Sequence, residues 1–185
     1  MQISELVGRL CEAASRDDPE QATASVLRDY ARNLRDIVEA LEFLPGLGTD
    51  PEQSFYRSRE VSALKVKFLP AQCTPPHDHG TWAVILLLSG KERNTLHTRD
   101  GDGIREVSSV VLAPGDVLPM RPEVIHVAEC VSSAPAVGLH VYGGDLPILS
   151  RSVWHPHTLV EHAHSEPMYA EMKAIARGTQ NSYNS

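Results

Sequence analysis

The first 45 residues carry apolar side chains at the spacing of an α-helix. One stripe follows the i, i+3, i+4, i+7 pattern of a single buried face and consists of Ile3, Leu6, Val7, Leu10 and Ala14. A second stripe of the same period runs from Val26 to Leu41, after an Asp18-Pro19 pair. An aspartate can cap free backbone amides and proline fits the first helical position, so this pair indicates a helix start. We predict two amphipathic helices here, with a further start at Asp50-Pro51.

Near residue 60 the helical period gives way to the alternation of a β-strand. Leu64, Val66 and Phe68 alternate with two lysines, as in a half-buried strand. The run WAVILLL at 82–88 is apolar throughout and predicts a strand buried on both faces. Short apolar runs then recur at intervals of roughly 8–12 residues between turn residues, which is typical of an antiparallel sandwich or barrel. A final helix is predicted from about Ser165.

Composition and charge narrow the class of protein. The chain has 185 residues, of which 42% are hydrophobic, enough for one domain with a real core. A formal net charge of −7 argues against a nucleic-acid or membrane partner, and the longest apolar run is far too short to span a bilayer. The first residues do not resemble a signal peptide, and the three cysteines lack CxxC spacing. We therefore expect a cytoplasmic protein; whether it forms a homo-oligomer stays open.

Candidate chemistry begins with two histidines in the stretch TPPHDHG. Side chains at i and i+2 of a strand point to the same face, so His77 and His79 could share one metal ion. The alternative is an ordinary polar strand edge, since histidine pairs are common on surfaces. A third imidazole, His126, follows a Pro-Gly-Asp turn at 114–116 and comes from a separate strand. A three-histidine site in a small barrel needs this arrangement, so the pattern favours metal binding.

These residues together resemble the two cupin motifs, which combine HxH, a following glycine (here Gly90), Pro-Gly-Asp and a downstream histidine. In the common cupin pattern a glutamate follows HxH closely, but Ala83 and Val84 occupy those positions here. The missing carboxylate points to a narrower family. The stretch from Tyr56 to Leu146 is similar to the thiol dioxygenases, namely cysteine dioxygenase and 3-mercaptopropionate dioxygenase.

The resemblance implies a mainly β fold, the cupin double-stranded β-helix or jelly-roll barrel. We predict a helical extension at residues 1–48 packed on the barrel, the barrel at 49–158, and a C-terminal helix with a frayed tail at 159–185. These parts are expected to form a single structural unit.

The resemblance also implies an Fe(II)-dependent enzyme that adds both atoms of O2 to the sulfur of a small carboxylated thiol. Its metal ligands would be His77, His79 and His126. Three neutral imidazoles leave the ion its full charge, which suits a thiolate, and they leave coordination positions open. Since imidazole also accepts Ni, Co, Cu or Zn, the residues alone do not select iron.

Tyr142 and His140 are again i and i+2, and they match the tyrosine and histidine of the family's Ser-His-Tyr network. By resemblance they are predicted to be catalytic; the alternative is a core histidine and a barrel-edge aromatic. The serine position holds Gly138, so the network is shortened. The cysteine that cross-links to this tyrosine in the animal enzymes is replaced by Val84, and we predict an unmodified Tyr142.

Substrate binding is assigned to residues at the start of the first barrel strand. The family often places a carboxylate-binding arginine there, and Arg57 is preferred slightly over Arg59. Two solvated strand-edge arginines are the alternative. Tyr56 is predicted to flank this site and Trp82 to pack at the pocket mouth, with a core role as the alternative for Trp82. His97 and the histidines at 155–164 are expected to form no second metal site.

Two other functions stay open on the sequence. One is a cupin that binds a metal and a small ligand without turnover. The glycine at position 138, where the family has serine, leaves this alternative open. The other is a cupin dioxygenase that acts on a non-thiol compound. The choice between cysteine and 3-mercaptopropionate is open as well, because the α-amino group of cysteine could reach the metal.

Overall fold

Three helices precede the barrel in the computed structural model, which describes residues 2–42 and 54–183. They are α1 (Ile3–Ala14), α2 (Pro19–Ala31) and α3 (Leu34–Leu41). Two predictions, the Asp50-Pro51 helix start and the domain boundary at residue 48, lie outside the described residues.

The second predicted helix is divided in two at Asn33. Asp18 caps the N-terminus of α2 as predicted, because its side chain accepts a hydrogen bond from the amide of Gln21. Asn33 leaves the helical conformation, and its side-chain amide donates to Asp36 at 2.7 Å. A side chain that bonds locally in this way competes with the helix, which explains why the apolar stripe continues while the helix does not.

Ten strands lie in the described residues: β1 (Tyr56–Arg57), β2 (Val61–Phe68), β3 (Ala83–Ser89), β4 (Glu92–Asp100), β5 (Gly103–Leu112), β6 (Val117–Met120), β7 (Ile125–Cys130), β8 (Ala136–Gly143), β9 (Ser152–Trp154) and β10 (Glu161–Ala163). A 3₁₀ turn covers Leu146–Ile148 and the final helix, α4, covers Glu166–Tyr183. The C-terminal helix α4 and the longer strands agree with the sequence pattern. The short strands β1, β9 and β10 have no periodic pattern of apolar residues that would have predicted them.

The strands pair antiparallel in two main sheets. The first has the order β1-β2-β8-β3-β6, and in the second β4 lies between β5 and β7. The backbone at His77 extends the second sheet, since it forms bridges with His126 of β7 and Val153 of β9. Strands distant in sequence thus become neighbours, as β8 does with β2 and β3. This is the double-stranded β-helix of the cupin type, as predicted.

Alternation along β3 explains its continuous apolar run. One set of side chains joins the core beneath the N-terminal helices: Val84, Leu86 and Leu88. The other set joins the core between the two sheets: Ala83, Ile85 and Leu87. Because α1 and α2 cover the outer face with Leu10 and Leu27, both faces of β3 are buried, as predicted.

Helix α4 packs beside the end of the barrel where the candidate site lies. Tyr169 and Met172 form a small core with Val153 of β9. The Tyr169 ring stands 5.7 Å from the ring of His77, edge to face. Among the helices of the described chain, none combines the length and the apolar character needed to cross a bilayer. Through Tyr169, α4 forms one wall beside the histidines.

Candidate metal centre

Three histidine side chains converge inside the barrel. His77, His79 and His126 each offer one ring nitrogen, and these atoms all lie within 4.8 Å of one another. The three side chains are buried, and the Nε2 atoms of His79 and His126 are 3.3 Å apart. The structure thus brings together the three residues singled out in the sequence, in a cluster that could hold a metal ion.

The backbone fixes His77 on both sides. Its amide and carbonyl exchange hydrogen bonds with those of His126, and the next carbonyl back, of Pro76, accepts from the amide of Trp154. The ring nitrogen Nδ1 lies 3.0 Å from the carbonyl oxygen of Pro75, to which it donates. Nδ1 therefore carries the ring proton and Nε2 keeps its lone pair for an ion.

An amide side chain on the neighbouring strand orients His126. Nδ1 of His126 lies 2.8 Å from Oδ1 of Asn94, which is fully buried on β4. Because an amide oxygen only accepts, Nδ1 is the donor and Nε2 presents its lone pair to the cluster. Sequence reasoning missed Asn94. The usable signal was its position two residues before Leu96 on β4, which places a polar side chain on the same, inward face of the strand.

Burial keeps these imidazoles uncharged. It lowers the pKa of His77 to about 4 and holds the pKa values of His79 and His126 well below their ordinary value. The neutral ring is the form that binds a metal. In the described part of the chain the cluster includes no carboxylate. This donor set fits Fe(II) and also the other divalent first-row ions that imidazole accepts.

A small cavity adjoins the cluster. The space open to the centre of a water-sized sphere is about 40 Å³. That is more than one water molecule needs, and it suits a small ligand. Its polar lining beyond the cluster consists of Thr74, His140, Tyr142, Arg151, His164 and Tyr169. Much of the remaining wall is apolar and includes Leu64, Val66 and Phe68 of β2.

Tyr142 and His140 lie on the inner face of β8, beside the metal cluster. The hydroxyl of Tyr142 is 3.1 Å from Nδ1 of His140, and the Tyr142 ring stands 4.9 Å from that of His79. Burial raises the pKa of Tyr142 and lowers the pKa of His140 to about 3, so both groups are neutral at pH 7. The pair can therefore offer a hydrogen bond, but no charge, to a ligand in the cavity.

The cation that lines the cavity is Arg151, which sequence reasoning missed. It directly precedes β9, the short strand that pairs with His77. The guanidinium is partly buried, and it forms no ion pair with a carboxylate within residues 2–42 and 54–177. Burial lowers the pKa of Arg151, but an arginine stays charged at neutral pH. An unpaired guanidinium at a cavity wall is a suitable binding position for an anionic group.

Backbone pairing connects Arg151 to the HxH segment. Asp78, the residue between the two histidines, donates through its amide to the carbonyl of Ser152 at 3.2 Å, and its carboxylate accepts from the Ser152 amide at 2.8 Å. Gly80 has a φ of +63°, and a Cβ there would stand 2.2 Å from the carbonyl oxygen of Ser150. Only glycine permits this close approach of the two segments.

The structure places Arg57 and Arg59, the predicted carboxylate-binding residues, away from the cavity. Arg57 lies in the cross-strand row that continues through Ser62 to Tyr142. Its guanidinium, however, forms an ion pair with Asp145 at an exposed position. Arg59 is exposed as well, and neither arginine lines the cavity. The physical reason is that β1 is a two-residue strand at the sheet edge, so its side chains end outside the barrel.

Tyr56 and Trp82 also lie away from the cavity. Tyr56 pairs with Ala63, which faces the helices, and its hydroxyl accepts a hydrogen bond from Sγ of Cys11 at 3.2 Å. Trp82 alternates in phase with Val84 and packs in the outer core. The structure thus places Trp82 in the outer core, the alternative role, and not in the lining of the cavity beside the histidines.

His164 has a closer relation to the site than the sequence suggested. It lines the cavity, and its ring lies 5.3 Å from that of Tyr169. Burial lowers the pKa of His164 to about 4, so the ring adds no charge at neutral pH. It forms part of the wall that α4 and the strand before it contribute.

No family model matches the chain. Similar solved structures include an uncharacterized conserved protein with a double-stranded β-helix domain from Klebsiella pneumoniae, 16% identical with a TM-score of 0.46 over 60% of this chain and 85% of that one. DMSP lyase DddQ from Ruegeria pomeroyi is 20% identical, with a TM-score of 0.44 over 60% of this chain and 57% of that one. An oxalate oxidase is 20% identical, with a TM-score of 0.42 over 48% of this chain. The chain spans only 44% of that oxidase, and the likeness concerns the fold alone.

Proposed function

We propose that the protein is an Fe(II)-dependent thiol dioxygenase that converts a small carboxylated thiol to its sulfinate. The observation that carries the proposal is that Arg151 and the three-histidine cluster open on one small cavity. A cation on one wall and a carboxylate-free metal site on another suit a molecule with a carboxylate at one end and a thiol at the other. The sequence resemblance to the thiol dioxygenases supports the same conclusion.

The reaction balances without a further reductant. R–SH and O2 give R–SO2H, in which the sulfur is oxidised and both oxygen atoms are retained. His77, His79 and His126 would hold the iron through their lone-pair nitrogens. When bound, Fe(II) supplies the redox chemistry by which the sulfur and dioxygen combine. Because no carboxylate in the described cluster offsets the charge of the ion, the site favours a thiolate over a neutral thiol.

Arg151 would bind the substrate carboxylate. The planar guanidinium can form two parallel hydrogen bonds with a carboxylate, which fixes orientation as well as position. Its partly buried location strengthens this contact, since less water screens the two charges. With its carboxylate held by Arg151, the substrate directs its sulfur towards the histidines. The entropy cost of bringing the reacting groups together is then met on binding and not in the chemical step.

Tyr142 would donate a hydrogen bond to the substrate side of the metal cluster. Its hydroxyl keeps its proton at neutral pH because burial raises the pKa of Tyr142. A fixed O–H dipole in a site with little water stabilises negative charge that develops on a nearby atom. Leu64, Val66 and Phe68 of the neighbouring strand β2 also line the cavity and limit the water that enters.

Oxygen uptake by the iron-loaded protein, measured against a panel of thiols, tests the proposal. We expect uptake with cysteine or 3-mercaptopropionate, and a sulfinate that carries two labelled atoms when 18O2 is used. A protein that contains iron by metal analysis but consumes no oxygen with any thiol contradicts the proposal. That result would favour the metal-binding cupin without turnover, whereas uptake only with non-thiol compounds would favour the remaining alternative.

A further inference from the structure

A chain of buried polar groups links the metal cluster to the Tyr142 hydroxyl behind the cavity wall. It runs from His126 through Asn94 and Glu92 to His140, and from there to Tyr142. Glu92 is the member that the proposed function does not use. Its side chain is 0% exposed. Burying a carboxyl group without a cation is costly, so its position here calls for a role.

The two oxygens of Glu92 have different surroundings. Oε1 accepts a hydrogen bond from Nδ2 of Asn94 at 2.9 Å. Oε2 lies 4.0 Å from Nε2 of His140, and neither atom has another hydrogen-bond partner in the described residues. A shift of about 1 Å would bring this pair to hydrogen-bond distance. Two buried polar atoms without other partners therefore face each other.

Gly138 keeps the Nε2 side of the His140 ring open. A Cβ at this position would lie 2.9 Å from Nε2 and 3.0 Å from Cδ2 of His140. The strand that carries His140 thus places no side chain against Nε2. The group that faces this atom comes instead from β4, as Glu92.

The direction of each hydrogen bond follows from its neighbour. Since Oε1 accepts from Asn94, the proton of a neutral Glu92 belongs on Oε2. Glu92 forms no ion pair with a lysine or arginine in the described residues, and burial disfavours its charged form and raises its pKa to about 7. A substantial fraction of the acid is therefore neutral at pH 7, beside a His140 ring whose pKa burial lowers to about 3. The acid then donates to Nε2, and the ring proton sits on Nδ1. Nδ1–H donates to the Tyr142 oxygen, which leaves the Tyr142 proton for the cavity.

We propose that Glu92 is a positioning residue that holds His140 as the Nδ1–H tautomer and so directs the Tyr142 hydroxyl to the ligand in the cavity. The inference rests on the proposed dioxygenase function and deepens it, because it names the group that sets the donor direction of Tyr142. Without Glu92 as a donor, Nε2 of His140 keeps the ring proton. Nδ1 then accepts from Tyr142, and the hydroxyl no longer serves the cavity.

The tautomer of His140 is measurable by long-range 1H–15N NMR correlations of the histidine rings in the full-length protein loaded with Zn²⁺. Zinc is diamagnetic, so rings near the site stay observable, and a His140→Gln variant assigns the signal. We expect a protonated Nδ1 and an unprotonated, hydrogen-bonded Nε2. The metal-free protein offers the same measurement, because His140 is not among the proposed ligands. A protonated Nε2 in the unmodified protein overturns the inference, whether or not the protein consumes oxygen.

Two substitutions separate the donor from the volume of Glu92. A Glu92→Gln variant keeps an acceptor for Asn94 and an N–H for Nε2, so we expect the same tautomer and near-normal turnover. A Glu92→Leu variant has similar volume but no donor, so the ring proton should move to Nε2 and kcat should fall about 10–100-fold with little change in KM. Zinc content and the melting temperature report whether each variant folds.

The two variants test the role of Glu92 separately from the dioxygenase function. A folded, zinc-binding Glu92→Leu variant that keeps the Nδ1–H tautomer overturns the role of Glu92. If that variant does not fold, the tautomers of the unmodified protein and of Glu92→Gln decide. A protein with the expected tautomer but no oxygen uptake contradicts the dioxygenase assignment and leaves the tautomer assignment standing.

Discussion

The Nε2 atoms of His79 and His126 face each other at 3.3 Å inside the barrel. Nδ1 of His126 already donates to Asn94, so its Nε2 carries a lone pair. Either a proton on His79 or a shared cation makes such a contact favourable. The ring nitrogen of His77 lies within 4.8 Å of both, and only a shared cation uses all three donors.

Replacing His126 by alanine should abolish both metal retention and oxygen uptake, because two imidazoles hold a divalent ion far more weakly than three. Metal analysis after dialysis and an oxygen electrode measure the two effects. His157→Ala is the matched control, since His157 is an exposed histidine outside the cavity. Undiminished oxygen uptake with small thiols in His126→Ala would contradict the assignment of the centre.

Asn94→Ala should lower the affinity for Zn²⁺ or Fe(II) about 10–100-fold, because the His126 ring loses the acceptor that fixes its tautomer. Competition with a chromophoric chelator measures this affinity. Asn33→Ala removes an exposed amide far from the site and should leave it unchanged. Equal affinities in the two variants would show that Asn94 does not orient the ligand.

Arg151→Gln should raise KM for a carboxylated thiol about 10–100-fold, the effect of losing charged hydrogen bonds worth about 1.5–3 kcal/mol. Turnover of a thiol without a carboxylate, such as 2-mercaptoethanol, should be unaffected. Arg57→Gln serves as the control, because Arg57 pairs with Asp145 outside the cavity. Steady-state oxygen uptake with both substrates gives the comparison, and a larger effect from Arg57→Gln would favour Arg57 as the carboxylate-binding residue.

Acid should destabilise the metal-free protein partly through His140. Burial lowers the pKa of His140 to about 3, against 6.5 for an ordinary histidine. Between these values the unfolded chain binds more protons than the folded one, so the free energy of unfolding falls as pH drops below about 6.5. The contribution reaches about 2 kcal/mol by pH 5. Urea denaturation at pH 7 and pH 5 should show a smaller difference for His140→Gln than for the unmodified protein; equal differences would exclude this contribution.

Gly138→Ala should cost about 1–3 kcal/mol of stability and disturb the His140 ring, since the new methyl group would crowd Nε2 at 2.9 Å. Gly8→Ala in α1 is the control, because no atom lies within 4 Å of the added Cβ and the helix gains up to about 1 kcal/mol. Chemical denaturation reports both changes. A neutral effect at Gly138 would mean that the ring has room to move.

The metal cluster was accessible from sequence because its signals are local. Two histidines at i and i+2 of an extended segment share a face even though the segment at His77 forms only isolated bridges, and a third histidine on β7 completes the set. The position of Arg151 depends instead on β9, a strand of only three residues. The sequence has no periodic pattern that would predict its pairing with the segment at His77. For Trp82 the local pattern was readable, but it did not determine which core the side chain joins. Its phase with Val84 was readable, but which phase faces outward depends on where the helices pack.

The pairing of Asp78 with Ser152 has a consequence for which molecules the cavity accepts. The nitrogen cluster and the guanidinium are carried by adjacent segments joined through their main chains, with Gly80 in direct contact with Ser150. The separation of the two backbone segments is therefore set by their main-chain contacts, and the Arg151 side chain supplies the remaining adjustment. Under the proposed function, a guest must reach from the guanidinium to the histidines, so molecular length becomes a criterion of selection alongside charge.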